Sequence, residues 1–411
     1  MRSTLVTNLT ILAGGEFQRV DQGNLLIENG RIRYVGQGRP DVHGVDVTAD
    51  GQGLLAIPGL INAHTHVGDS VAKDLGVGKT LNELVHPLHG IKTQLLANES
   101  PELIRLAISQ TASDMLNSGI TTFVDFREGG LEGIQLARQA LNECRQRVVM
   151  LCRPKFAYSE TQVTEGAALT ETVIKETKDA LSVSDGIGLS GANEYTKMAM
   201  EQIGDLAKQS GKPIAIHAAE SLDAVRFSNE KFQASEIQRI FQCMTPSMIV
   251  HGTHTSLEDV RRIAERNVGV VCCPRANASL GVGFPPISTL LEHNVRVALG
   301  TDNVMLNAPD MFREMDYAAR MIKARALKPS AVSSIQILKM STINAADILG
   351  LSSSLGTLDA GKKADVIFLD LSAPNLSFSR DLVTSIVHRA RPDNIMCVMI
   401  DGEIVHGSLQ R

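Results

Sequence analysis

Apolar and polar positions follow one rhythm at the two ends of the chain and another in the middle. Leu5 to Ala13 and the stretch LLIENGRIRYVG read as short strands, and Asn29-Gly30 between two apolar runs is a hairpin signal because both positions tolerate positive φ. The other end repeats this: ADVIFLDL from Ala364, then IMCVMIDGEIVH from Ile395, turning at Asp401-Gly402. Neither β segment can bury a core alone, so the simplest expectation pairs them into one discontinuous β-sandwich built from residues 1–57 and 353–411.

Between them, over residues 58–352, the pattern becomes strand, turn, helix, repeated. Apolar strands are expected to begin near Ile61, Ile120, Val148, Ile187, Pro213, Met248, Val268 and Val295. Helix signals separate many of them: Ser100-Pro101-Glu102 opens one that Gly119 closes, and Thr255-Ser256-Leu257-Glu258 opens another. Alternating βα units with near-continuous apolar strands predict an α/β fold, a closed (β/α)8 TIM barrel, over an open doubly wound sheet. No GxGxxG follows the first strand, and Gly281-Val282-Gly283 is only a turn.

Composition narrows the function classes. The 411 residues are 43% hydrophobic and 21% charged, enough for a large core, and 40 basic against 45 acidic residues leave a net charge of −5. That balance gives no footprint for nucleic acid or an anionic membrane. Six cysteines without a CxxC pair argue against a zinc knuckle or disulfide framework and for a reducing cytosol. No leader pattern opens the chain and no window reaches 18 apolar residues, so a soluble, cytoplasmic protein is expected.

Barrel chemistry sits at the C-terminal ends of strands. Of 11 histidines, His64, His66, His217 and His251 fall at expected strand ends. His43, His388 and His406 lie in or beside the β unit, His293 ends a helix, and His254 helps start one. His86 and His89 follow strand one, where they either line a substrate pocket or form a polar helix face. His64 and His66 are spaced i, i+2, so a strand turns both imidazoles to one face. Taken alone, the pair reads more readily as two exposed or core-satisfied histidines than as ligands; its place at the end of an apolar strand is what favours ligation. His217 and Glu220 reach one site only if the chain turns at Ala218-Ala219; otherwise Glu220 is solvated. Asp302 ends VRVALGTD as a metal-directed carboxylate or as a helix cap. Together His64, His66, His217 and Asp302 supply three nitrogens and one oxygen, a set suited to one divalent metal, zinc ahead of iron. Water on such an ion has its pKa drawn from 15.7 to about 7. Glu220 is then placed to shuttle its proton and His251 to orient it, with Asp302 also contributing to catalysis.

Five motifs in order, PGLINAHTH, HAAE, VHG, LGTD and GTLDAGKKADVIFLD, resemble the amidohydrolase superfamily, in particular its mononuclear deaminase and chlorohydrolase branch. The pattern is similar to an archaeal chlorohydrolase-like group related to S-adenosylhomocysteine and methylthioadenosine deaminases. The resemblance implies a TIM barrel with an appended β-sandwich, and metal ligation by His64, His66, His217 and Asp302. Binuclear branches carry a modified lysine after strand four; Ser190-Gly191 stands there, and Lys155 is the only other candidate, so one metal is expected. The stretch PRANASLGVGFPPI resembles the loop after strand seven in purine deaminases and nominates Arg275 and Asn277 as substrate contacts. Two departures, His89 after Pro87-Leu88 and the run Ser190 to Tyr195, set the chain apart from deaminases of ribosylated purines.

The expected activity is deamination of an aminated nitrogen heterocycle, purine, pyrimidine or pterin-like, by metal-bound hydroxide with release of ammonia. Dechlorination or alkylamine removal from a triazine-like ring, or cyclic amide hydrolysis, is the alternative on the same site. A metal-dependent binding protein is the third reading, disfavoured because Glu220 would then have no duty. A small-molecule partner and a homo-oligomer, dimer or tetramer, complete the expectation.

Overall fold

The computed structural model describes residues 3–38, 40–42 and 44–409, so His43 lies outside the described residues. Two sheets organise the chain. One collects Ser3–Ala13, Gln18–Glu28, Arg31–Gly36, Val47–Asp50 and Leu54–Pro58 from the N-terminal region with Val366–Asp370, Ile395–Ile400 and Glu403–Gly407 from the C-terminal region. The two hairpin turns adopt the backbone their residues allow: φ is 54° at Asn29, 75° at Gly30, 49° at Asp401 and 77° at Gly402. The turns abut, and a Cβ at Gly30 would stand 2.8 Å from the Asp401 carbonyl oxygen.

The two ends therefore do meet, but the expected sandwich of two sheets is corrected to one separate mixed sheet. The cause is Leu54–Pro58, which pairs parallel with Ser3–Ala13 on one edge and antiparallel with Val366–Asp370 on the other. Seven strands are thereby joined in one hydrogen-bonded path, and Val47–Asp50 pairs onto Ser3–Ala13 beside it. One face encloses Val6, Ile11, Leu25, Ala56, Phe368 and Met399, while alternate residues such as Ile57, Ile367 and Val398 pack toward the rest of the molecule.

The second sheet is parallel and curled. Its strands, numbered from here by order, are Leu60–His66, Ile120–Arg127, Arg147–Cys152, Gly186–Gly191, Ile214–Ala218, Met248–His251, Gly269–Cys272 and Val297–Leu299, with a short continuation at Asp302–Asn303. Each strand pairs with the next, and Asp302–Asn303 pairs back onto the first strand, Asp302 opposite Thr65. The eighth segment, broken at Gly300-Thr301, thus touches both edges of the sheet, an arrangement consistent with a (β/α)8 barrel. The break has a steric reason: a Cβ at Gly300 would lie 2.7 Å from that of His64.

Inward positions Ile61, Ala63, Val124, Leu151, Ala215, Val250, Val271 and Ala298 share a core with Ala345, Ala346 and Ile348 of the helix Ile343–Ile348. Gly269 lets Ile348 approach, since a Cβ there would sit 2.5 Å from its side chain. That helix closes the N-terminal end of the sheet, which leaves the C-terminal strand ends as the open face. No helix among the described residues is long and apolar enough to cross a membrane.

Candidate active site

Strand ends deliver the polar residues by three departures from regular strand geometry. Ala219 (φ 50°), His251 (φ 70°) and Asp302 (φ 62°) all occupy the left-handed region, uncommon for residues with a Cβ. The turn at Ala219 is the one required for His217 and Glu220 to share a site. It is held from outside: the Ala219 N–H donates to Glu236 Oε2 at 2.9 Å, and the His254 N–H donates to the Ala219 carbonyl at 2.8 Å. The Glu236 carboxyl is pushed up to about 7 by burial, against the pull of that N–H and of Arg239.

The structure brings His64, His66, His217, His251 and Asp302 together. One donor atom from each of His64, His66 and His217 lies within 4.8 Å of the others, as do those of His64, His251 and Asp302. His64 is fully buried and its pKa is lowered to about 3, chiefly by burial. Burial and the neighbouring imidazoles hold His217 well below its ordinary value too. Burial opposes ionisation of Asp302, yet the hydrogen bond to His64 and the imidazoles around it keep its carboxyl below the usual range.

Proton accounting tests whether these side chains fit a cation. His217 Nδ1 donates to the Leu189 carbonyl at 2.7 Å, and His66 Nδ1 faces the Glu128 carboxylate at 2.9 Å. In neutral imidazoles so oriented, both Nε2 atoms are lone pairs. The His217 Nε2 points at His64 Nε2, 3.3 Å away, and the His66 Nε2 at Asp302 Oδ1, 3.6 Å away. One proton on His64 Nε2 can serve Asp302 at 3.2 Å or His217, but not both, and the His66 lone pair still faces a carboxylate. His64 Nδ1 is buried with no hydrogen-bond partner. Converging acceptors with too few protons fit a divalent cation.

Beyond this cluster, Glu220 Oε1 stands 3.5 Å from His251 Nε2, and burial raises the Glu220 pKa. His251 Nδ1 is oriented by Asn277 Oδ1 at 3.1 Å, and Asn277 Nδ2 donates to Thr253 Oγ1. Asn277, expected as a substrate contact, is thus fully buried behind His251. Arg275 is corrected likewise. Its guanidinium donates to the Ala308 carbonyl and lies 3.6 Å from Glu314, and neither residue lines the cavity. The cluster opens into a cavity of about 1770 Å³ whose wall includes His86 and His89, stacked 3.6 Å apart between ring centres. Lys155 pairs with Glu132 at the surface.

Sequence reasoning missed Glu128, Lys92 and Asp69. Glu128 Oε1 holds His66, its Oε2 accepts from Arg127 at 2.9 Å, and Lys92 Nζ lies 2.6 Å from Oε1. Burial opposes the charge on Glu128, but Lys92, His66 and Arg127 hold its pKa well below the ordinary value. Gly68 supplies the room, since a Cβ there would fall on the Arg127 guanidinium. Glu128 was findable: it directly follows an apolar strand at the open face, the same position that singled out Asp302.

With the site laid out, the comparisons decide its family. The sequence profile of the amidohydrolase family matches residues 55–405. A putative aminohydrolase of Methanothermobacter thermautotrophicus is 33% identical over 408 residues, covering 98% of this chain and 100% of that protein. The chain belongs to the amidohydrolase family. Another of its relatives is a 5-methylthioadenosine/S-adenosylhomocysteine deaminase of Caldanaerobacter subterraneus, 28% identical over 431 residues, with 98% of this chain and 92% of that one covered. Among solved structures, a zinc-bound adenosine deaminase from Xanthomonas campestris shares the fold at a TM-score of 0.84 and 22% identity, over 98% of this chain and 92% of that one. An atrazine chlorohydrolase from Arthrobacter aurescens complexed with zinc does so at 0.84 and 19%, over 99% and 96%. This amidohydrolase is accordingly a hydrolase of the kind that acts on carbon–nitrogen bonds, with deaminases among its relatives.

Proposed function

We propose that the protein is a metal-dependent deaminase that replaces the amino group of a nitrogen heterocycle by oxygen and releases ammonia. The observation that carries this is the cluster of His64, His66 and His217, with Asp302 3.2 Å from His64 and 3.6 Å from His66, beside a carboxyl group with a raised pKa, Glu220. Those four would hold one divalent ion, zinc ahead of iron. The ion would supply Lewis-acid activation of water and of the ring carbon under attack.

The rest falls to the chain itself. Glu220 takes a proton from the attacking water and delivers it to the ring nitrogen next to the reacting carbon, then carries the remaining hydroxyl proton to the amino group, so that the C–N bond breaks with ammonia as the leaving group; a carboxyl with a raised pKa suits these transfers. His251, its Nδ1–H directed at Asn277, keeps Nε2 as an acceptor that orients the same water alongside Glu220. Phe126 packs edge-on against His64 at 4.4 Å and His217 at 5.0 Å between ring centres, which fixes both rings and excludes bulk water from behind them. The cavity exceeds what a bare ring fills, which favours a heterocycle carrying a substituent between His86, His89 and the strand ends. The same reading divides the chain into a catalytic unit, residues 58–352, and a discontinuous β unit, residues 1–57 and 353–411. Gly59 stands between the strands Leu54–Pro58 and Leu60–His66 of the two sheets.

A panel of adenine, guanine, cytosine, pterin and triazine derivatives, assayed for ammonia with the zinc-loaded protein, tests the proposal. Ammonia from at least one class is expected. Halide release from chlorinated rings with no ammonia from any aminated one would overturn deamination in favour of dehalogenation.

A further inference from the structure

The helix Ile91–Asn98 stands on the cavity wall and buries just one of its side chains, Lys92. Ile91 and Leu96 are only partly buried against neighbouring apolar clusters, and a lysine as the helix's most buried side chain needs an ionic reason, because a lysine is seldom this buried without partners. Two carboxylates supply it. Lys92 Nζ lies 2.6 Å from Glu128 Oε1 and 3.4 Å from Asp69 Oδ2.

Each carboxylate leads to a different part of the metal cluster. The Glu128 oxygen that meets Lys92 is the one that accepts the His66 Nδ1–H at 2.9 Å. Asp69 Oδ2 accepts from Asn303 Nδ2 at 2.7 Å and Oδ1 from the Met305 N–H at 3.0 Å, which pins the turn that carries Asp302. One ammonium thus joins the substrate-facing wall to the supports of two ligands, one from the first strand and one from the segment paired beside it.

We propose that Lys92 is a positioning residue that couples the cavity wall to metal binding: its ammonium keeps the Glu128 carboxylate on His66 and the Asp69 carboxylate on the Asp302 turn. Without it, Glu128 and Asp69 retain their other donors but lose the charge that fixes their rotamers, and Arg127, bound to the other Glu128 oxygen, draws that carboxylate from His66. Linkage runs both ways, so metal binding in turn holds the helix Ile91–Asn98 in place. The inference rests on the assignment of His66 and Asp302 as ligands.

Zinc affinity of the full-length protein, measured by competition with a chromophoric chelator, provides the test. Lys92→Met and Glu128→Gln are each expected to weaken zinc binding by about 10- to 100-fold. The double variant should be little worse than Lys92→Met, since Glu128 serves one of the two paths that Lys92 holds. Gln94→Ala, on an exposed position of the same helix, should stay within about twofold of wild type. Lys92→Arg should recover part of the loss. Hydrogen exchange gives a second reading that needs no variant: zinc should slow amide exchange across residues 91–98. Wild-type zinc affinity in Lys92→Met, or exchange in 91–98 indifferent to zinc in the wild-type protein, would overturn the coupling. Failure of the ligand assignment itself would look different, as a wild-type protein that binds no zinc.

Discussion

Replacing Glu236 by Gln is expected to stabilise the protein at alkaline pH and leave it nearly unchanged in acid. Glu236 is 4% exposed, and its carboxyl titrates near 7 instead of 4.5, first because burial penalises the charge. Between those two values the folded chain retains a proton that the unfolded chain has lost. Stability therefore falls as pH rises from about 4.5 to about 7, by about 1.4 kcal/mol per pH unit, and stays level above that. Over that interval the total is about 3 kcal/mol, an upper bound because the buried Gln amide must itself find partners. Glutamine keeps an oxygen for the Ala219 N–H, so the turn that places Glu220 should survive.

Urea unfolding of metal-stripped wild type and Glu236→Gln from pH 5 to 8.5 isolates this group, since every other ionisation is common to both proteins. The stability difference should shift by about 2–3 kcal/mol in favour of the variant across that range. A difference that is flat with pH would refute the burial argument. Glu236→Leu is the complementary perturbation. It removes the charge and also the acceptor, leaving a buried N–H unpaired at a cost of about 1–3 kcal/mol, so it should forfeit the gain that glutamine keeps.

His217→Ala should lose bound zinc and turnover together, read by elemental analysis and ammonia release; a variant with full metal content and activity would defeat the ligand assignment. Asn277→Ala frees His251 Nδ1 from its acceptor at 3.1 Å, and should lower kcat by about 10- to 100-fold with little change in KM or zinc content. Ala219→Gly relieves a residue held at φ 50°, so unfolding should shift up by as much as about 1 kcal/mol while kcat falls, because the chain that presents Glu220 gains freedom.

The barrel was legible because its signal is local. Each strand from Leu60–His66 to Val297–Leu299 is a short apolar run, and each donor His stands at the end of one, so periodicity and strand polarity together placed the cluster. The sandwich was misread because hydrogen-bond partnership is not local. Whether Leu54–Pro58 completes one sheet or separates two depends on which edges it meets, and its apolar run is the same either way. Asn277 was assigned to the substrate for a similar reason. Residue type and loop position identified a polar group near the site, but only the fold shows that its carbonyl oxygen is spent on His251.

Lys92 marks the deeper limit. Nothing in IKTQLLAN sets it apart from any surface lysine, and the partners that bury it lie at Asp69, in the first turn after strand one, and at Glu128, after strand two. Only the pairing of those two strands brings the positions against one helix. The positive φ values at Ala219, His251 and Asp302 are likewise set by how strand ends meet in the fold. Regular strands would send successive side chains to opposite faces, whereas a site at the rim needs neighbouring strands to aim inward at one point. These three strand ends accordingly leave their regular paths, at a cost of about 1 kcal/mol or more each that the packed barrel beneath must absorb. That is a physical reason for setting this chemistry on a core as continuous as the one between Ile61 and Ala298, with the helix anchored by Lys92 left to form the wall.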